Sequence, residues 1–127
     1  MNTKAKGTAA ERELIHMFQK ADFACFRAAG SGSSKYPCPD LIAGNNLRKL
    51  AIEVKNTGTG YQHLSKKEVD ELREFSIKFG AEAWVAVKFK AWFFLTLEDV
   101  NETKENYSVT QTIAERKGLC FEELVNF

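Results

Sequence analysis

Two short apolar runs, Leu41–Gly44 and Leu50–Val54, sit on either side of Asn45-Asn46 and are bounded by polar residues. No other feature constrains the chain as tightly. Runs of this length around Gly44-Asn45-Asn46 predict a β-hairpin, Pro39–Gly44 turning back into Lys49–Lys55. Successive strand side chains point to opposite faces. Ala51, Glu53 and Lys55 therefore share one face, and Leu50, Ile52 and Val54 the other. One face is expected to feed a core while the opposite face carries a carboxylate beside an amine. Asp40 opens the first strand, and antiparallel pairing brings it towards Glu53 and Lys55. Two carboxylates converging on one point repel each other unless a cation lies between them, and oxygen ligands of this kind suit Mg²⁺, with Mn²⁺ as a substitute.

The flanking segments fit a layered α/β arrangement. Residues 6–20 read as a helix with Thr8 as a candidate N-cap and Leu14, Ile15 and Phe18 on its apolar face. Helical periodicity puts Glu11 inside that stripe. A carboxylate there is costly to bury unpaired. Either the first turn is exposed and Glu11 benefits from the helix dipole, or Glu11 faces the metal cluster as a direct or water-mediated ligand. Residues 23–28 read as a strand, followed by the polar loop Gly30–Lys35, whose glycines and hydroxyls suit close approach to a phosphate. Asn56–Tyr61 reads as a second polar loop.

Ser65-Lys66-Lys67-Glu68 has the form of a capping box and opens a helix that runs to Phe79 and stops at Gly80. Val69, Leu72, Phe75, Ser76 and Phe79 make its inner stripe. Ala83–Val87 and Ala91–Leu95 read as strands. The aromatic run Trp92-Phe93-Phe94 is either core or, since it exceeds what one small core needs, a self-association face. Tyr107–Thr110 reads as a short strand and Phe121–Val125 as a terminal helical turn. The order is helix, three strands, helix, two strands. It predicts a mixed α/β layer fold with a central sheet and helices against it.

At 127 residues the chain is expected to be one domain over 1–127. The net charge of +1 conceals an asymmetry: residues 1–67 carry 11 Lys and Arg against 5 Asp and Glu, and residues 68–127 carry 7 against 12. The basic half holds the Asp40/Glu53/Lys55 cluster, and positive charge around a metal site suits a phosphate polyanion. No apolar run is long enough for a membrane helix and the N-terminus lacks an apolar signal core, so an intracellular protein is expected. Cys25, Cys38 and Cys120 form no Cys-x-x-Cys pair, and only His16 and His63 accompany them. Neither a zinc site nor a disulfide framework is expected, and the three thiols should be buried or half-buried.

Asp40, twelve intervening residues, then Glu53-x-Lys55, with Pro39 ahead of the Asp and Glu11 on a preceding helix, resembles the PD-(D/E)xK nuclease superfamily. The resemblance narrows to the archaeal Holliday junction resolvases. It is carried by Lys6-Gly7, Ala10–Ile15, Phe23, Arg27–Gly32, Pro39–Gly44, Ile52–Lys55, Glu74–Ser76, Phe79-Gly80 and Val85–Lys88, and spans residues 6–97. It implies a restriction-endonuclease-like nuclease fold, a central mixed β-sheet flanked by helices. It also implies Glu11, Asp40, Glu53 and Lys55 as catalytic residues. Asp40 and Glu53 would hold a divalent ion, with the Val54 carbonyl a further ligand and Glu11 completing the outer shell. Lys55 would polarise the attacking water, and Arg12, Arg27 and Ser31 would contact DNA phosphates. The implied activity is paired, symmetric nicking of branched, four-way DNA by a homodimer in the cytoplasm, at the nucleoid. A sliding clamp remains open as a further partner. The alternatives are a restriction-type or repair nuclease acting on another DNA structure, and a non-catalytic DNA-binding module of the same fold.

Overall fold

The protein is described by a computed structural model, which places residues 3–28, 35–103 and 106–127, with side chains from Gly7 onward. Helix α1 spans Thr3–Lys20. It begins ahead of Thr8, which lies inside the helix rather than at its N-cap. Ala10, Leu14 and Phe18, each four residues apart, form its buried line. Asp22, in the left-handed region at φ 64°, reverses the chain into β1, Ala24–Arg27.

The hairpin is present as expected: β2, Leu41–Gly44, pairs antiparallel with β3, Lys49–Asn56, in the register Leu41 to Ile52 and Gly44 to Lys49. Asn45 closes the turn, its Oδ1 accepting from the backbone N–H groups of Leu47 and Arg48 at 2.9 and 2.8 Å. After β3 come β4, Tyr61–Ser65, helix α2, Lys66–Phe79, β5, Glu82–Lys88, and β6, Trp92–Leu95. Strand β5 returns parallel to β3, and a parallel return needs a crossover, which β4 and α2 supply. The central sheet has the order β1-β2-β3-β5-β6, mixed in direction.

Helix α2 is written in local signals. Ser65 Oγ accepts from the N–H of Glu68 while Glu68 Oε1 accepts from the N–H of Ser65, both at 3.0 Å. Gly80 ends the helix in the left-handed conformation, φ 78°, that favours glycine. Val69, Leu72 and Ser76 are buried as expected, whereas Phe79 is 44% exposed and stacks on the half-buried Phe75.

Both faces of the sheet are covered, so the expectation of a single buried face is corrected. Leu50, Ile52, Trp84, Ala86 and Phe94 pack against α1 and α4, Phe121–Val125. Ala51, Val85, Val87 and Leu95 pack against α2 and a second, three-stranded sheet. That sheet joins β4 to β7, Asn101–Glu102, and β8, Asn106–Thr110. Helix α3, Gln111–Lys117, follows β8, capped by Thr110. Neither β4 nor α3 is legible in the sequence reading. Along Tyr61–Ser65 only Leu64 is buried, and the strand exists because it pairs with β8.

Within the aromatic run of β6, Trp92 and Phe94 are core and Phe93 is half-buried. Phe94 is fully buried, edge-on to Phe18 at 6.4 Å and tilted on Phe121 at 6.0 Å. Trp92 is buried too, its Nε1 donating to Glu13 Oε1 at 2.7 Å. The extra aromatic area is absorbed by the C-terminal helices, which close both faces over β6. Of the thiols, Cys25 is buried and Cys38 half-buried, but Cys120 is exposed, its Sγ accepting from the Glu123 N–H at the start of α4. No helix among the described residues is long and apolar enough to cross a membrane.

Candidate active site at the end of strand β3

Along β3 the cover of the sheet changes. Leu50, Ala51 and Ile52 are fully buried, and from Glu53 to Asn56 the residues are only partly so. The strand emerges from between its two helical layers just where the charged residues begin.

Asp40 is fixed there by three backbone contacts. Its N–H donates to Ile52 O at 3.1 Å, its carbonyl accepts from the Ala28 N–H at 3.0 Å, and its Oδ2 accepts from the Val54 N–H at 2.8 Å. The residue thus binds β1, β2 and β3 together while its carboxylate projects over β3. Glu53 and Lys55 share one face of β3, opposite Val85 and Val87 of β5. Lys55 Nζ stands 3.8 Å from Glu53 Oε2 and donates to Glu68 Oε2, from the first turn of α2. Glu11 reaches the same edge from α1, its Oε1 3.5 Å from Arg27 Nε on β1.

The electrostatics follow from this crowding. Burial, and then the neighbouring Asp40, push the Glu53 carboxyl up to about 9. Burial likewise raises Asp40, although the Val54 N–H and the Lys55 ammonium pull it back. Glu11 is raised by burial and by Asp40, against the pull of Arg27. Burial works against the Lys55 ammonium, but Glu68, Glu53 and Asp40 outweigh it and hold the lysine protonated. Burial also works against the Glu68 carboxylate, and the contacts with Lys55, the Ser65 N–H and Glu53 together outweigh it, so Glu68 stays ionised.

Crowded carboxyl groups of this sort fit a divalent cation, whose charge would favour their ionised form. Among the described residues no three His, Cys, Asp or Glu side chains form a closed ligand group. The donors that fit are the pair Asp40 and Glu53, leaving the other positions to water and substrate oxygens, the manner in which Mg²⁺ is usually held. A cavity of about 540 Å³ lined by residues including Arg73, Ser76, Trp84 and Phe127 lies elsewhere and takes in none of Glu11, Asp40, Glu53 or Lys55.

Against known proteins, the family model described as archaeal Holliday junction resolvase (Hjc) matches residues 2–127. The chain belongs to the archaeal Holliday junction resolvase family. Within that family it is 43% identical to the crossover junction endodeoxyribonuclease Hjc of Archaeoglobus fulgidus, covering 94% of this chain and 95% of the relative. It is 31% identical to the Hjc of Sulfolobus acidocaldarius, covering 100% and 91%. The solved structure of the A. fulgidus Hjc, described as a Holliday junction resolvase, superposes with a TM-score of 0.88 at 39% identity, over 95% of this chain and 96% of that one. The fold is therefore the restriction-endonuclease-like nuclease fold.

Of the residues singled out in the resolvase sequence, Asp40, Glu53 and Lys55 meet at one edge, with Glu11 in electrostatic reach of Asp40. Arg27 flanks them, its side chain 49% exposed. Arg12 lies next to Glu11 on α1 and is exposed. Ser31 lies outside the described residues. The sequence does not mark Glu68 as a residue of the site. Its capping box accounts for it completely at the level of sequence, and only the docking of α2 beside the end of β3 shows its second contact.

Proposed function

We propose that this chain is a metal-dependent endodeoxyribonuclease that resolves four-way DNA junctions by phosphodiester hydrolysis. The observation that carries the reading is the meeting of Asp40, Glu53 and Lys55 at the end of β3, in a chain that matches the resolvase family over nearly its whole length. Asp40 and Glu53 would hold Mg²⁺, or Mn²⁺ in its place, with the Val54 carbonyl as a further ligand and Glu11 in the outer shell. Such an ion supplies Lewis acidity at the phosphate and a more acidic water.

The protein's own residues do the remaining work. Lys55 is held cationic by the carboxylates around it, so it acts as a charge and a hydrogen-bond donor rather than as a base. It orients the attacking water and stabilises negative charge as that charge builds on the phosphate oxygens. Arg12, Arg27 and Ser31 contact backbone phosphates near the cut. Contacts of this type position DNA without reading bases, so junction preference comes from the shape and deformability of the branch. Two symmetric nicks call for two symmetric sites, which a homodimer provides. The relatives named as crossover junction endodeoxyribonucleases support this substrate and an intracellular place of action on DNA.

The test is cleavage of a synthetic immobile four-way junction beside duplex, flap and mismatched DNA at matched salt, over a Mg²⁺ titration. We expect cutting that requires the metal, favours the junction, and falls at symmetric positions. Cutting of duplex or flap as fast as junction would assign the protein to another DNA structure. Undiminished cutting by Asp40→Asn or Glu53→Gln would remove the assigned centre.

A further inference from the structure

Glu68 belongs to no part of the hairpin that carries the candidate centre, yet it touches that centre. Its two carboxylate oxygens have different partners. Oε1 accepts from the Ser65 N–H at 3.0 Å and closes the capping box, and Oε2 accepts from Lys55 Nζ. One carboxylate therefore anchors the start of α2 and the ammonium at the end of β3.

We propose that Glu68 is the positioning residue of the active site, setting where the Lys55 ammonium stands. This rests on the reading of Lys55 given above. A lysine has a long flexible stem and loses much rotamer freedom when it is held in one place. Something rigid must hold it, and the other oxygen of the Glu68 carboxylate, Oε1, is itself held by the backbone N–H of Ser65. Glu53 is the weaker candidate for that task, because its contact with Lys55 is 3.8 Å long. The side chain of Glu68 is about one-third exposed (32%), and Ser65 keeps it aimed inward. The geometry thus gives Glu68 a closer hold on the lysine than Glu53 has.

Two variants separate positioning from helix capping. Glu68→Gln keeps an oxygen for the Ser65 N–H and removes the charge that holds Lys55. Ser65→Ala removes the cap and leaves the charge. The readouts are single-turnover cleavage of a four-way junction at saturating protein and Mg²⁺, and junction affinity measured in Ca²⁺. Glu68→Gln is expected to slow single-turnover cleavage by about 10–100-fold, the scale of losing a partner that orients a site residue, with affinity unchanged. Ser65→Ala is expected to lower the melting temperature and leave the rate alone. In a Lys55→Met background, Glu68→Gln is expected to add no further loss, because it acts through the lysine. The proposal is overturned by a parental rate in Glu68→Gln, by a Ser65→Ala rate equally reduced, or by losses that multiply in the double variant. If Asp40→Asn cuts at the parental rate, the site assignment itself fails. If Asp40→Asn is inactive while Glu68→Gln is parental, the positioning role alone fails.

Discussion

Asp40 and Val54 are joined across β2 and β3 by a 2.8 Å hydrogen bond, Oδ2 of the aspartate accepting from the backbone N–H of the valine. The bond turns the carboxylate towards the end of β3 before any ion or substrate arrives. An asparagine oxygen can accept the same bond. Asp40→Asn should therefore fold, melt close to the parent and bind a four-way junction in Ca²⁺, while Mg²⁺-dependent cleavage falls below detection. Thermal melts, gel shifts and a cleavage time course check the three parts separately.

Glu53 gives a pH signature in the metal-free protein. Its carboxyl stands at about 9 in the folded protein against an ordinary value of 4.5. Between those values the folded chain keeps a proton that the unfolded chain has released. The associated stability is complete below the lower value and is lost as pH rises through the upper one. Urea midpoints measured in EDTA from about pH 5 to about pH 9 should fall as pH rises, and the fall should be shallower in Glu53→Gln. Parallel slopes in the two proteins would contradict the buried, charge-crowded placement of Glu53. Addition of Mg²⁺ should raise the midpoint of the parent at high pH and do less for the variant.

Arg27 and Glu11 face each other at 3.5 Å on the rim of the site. Replacing the arginine with alanine takes a cation from the DNA side and leaves Glu11 without its partner. Arg27→Ala should weaken binding to junction and duplex alike, and should reduce the slope of log affinity against log salt by about 1. Fluorescence anisotropy over a salt series measures this slope. A loss confined to one DNA structure would make Arg27 a selectivity residue instead of a phosphate contact.

At the opposite end of β3, Arg48 clasps the C-terminus to the sheet. Its Nε and Nη2 meet the two Glu82 oxygens at 2.8 Å each, and its Nη1 donates to Leu124 O at 2.6 Å. Its guanidinium also lies 5.7 Å from the Phe127 ring. Arg48→Ala should cost about 1–3 kcal/mol, since it strips charged hydrogen bonds from a largely buried side chain. Cleavage well below the melting temperature should be unchanged. Urea unfolding and a cleavage assay on the same preparation test both halves.

The sequence alone determined the hairpin, the juxtaposition of Asp40, Glu53 and Lys55, and both ends of α2. Each of these rests on contacts between near neighbours in the chain: strand alternation, a tight turn, a capping box and a left-handed glycine. Tertiary structure decided the rest. Tyr61–Ser65 became a strand because β8, far along the chain, supplied its partner. Trp92 and Phe94 became core because α1 and α4 cover them, and an aromatic side chain carries no mark of what will pack on it. Glu68 gained its hold on Lys55 only when α2 docked beside the end of β3. Local hydrogen bonding is fixed by residues a few positions apart, whereas burial and charge contact depend on which distant surfaces meet.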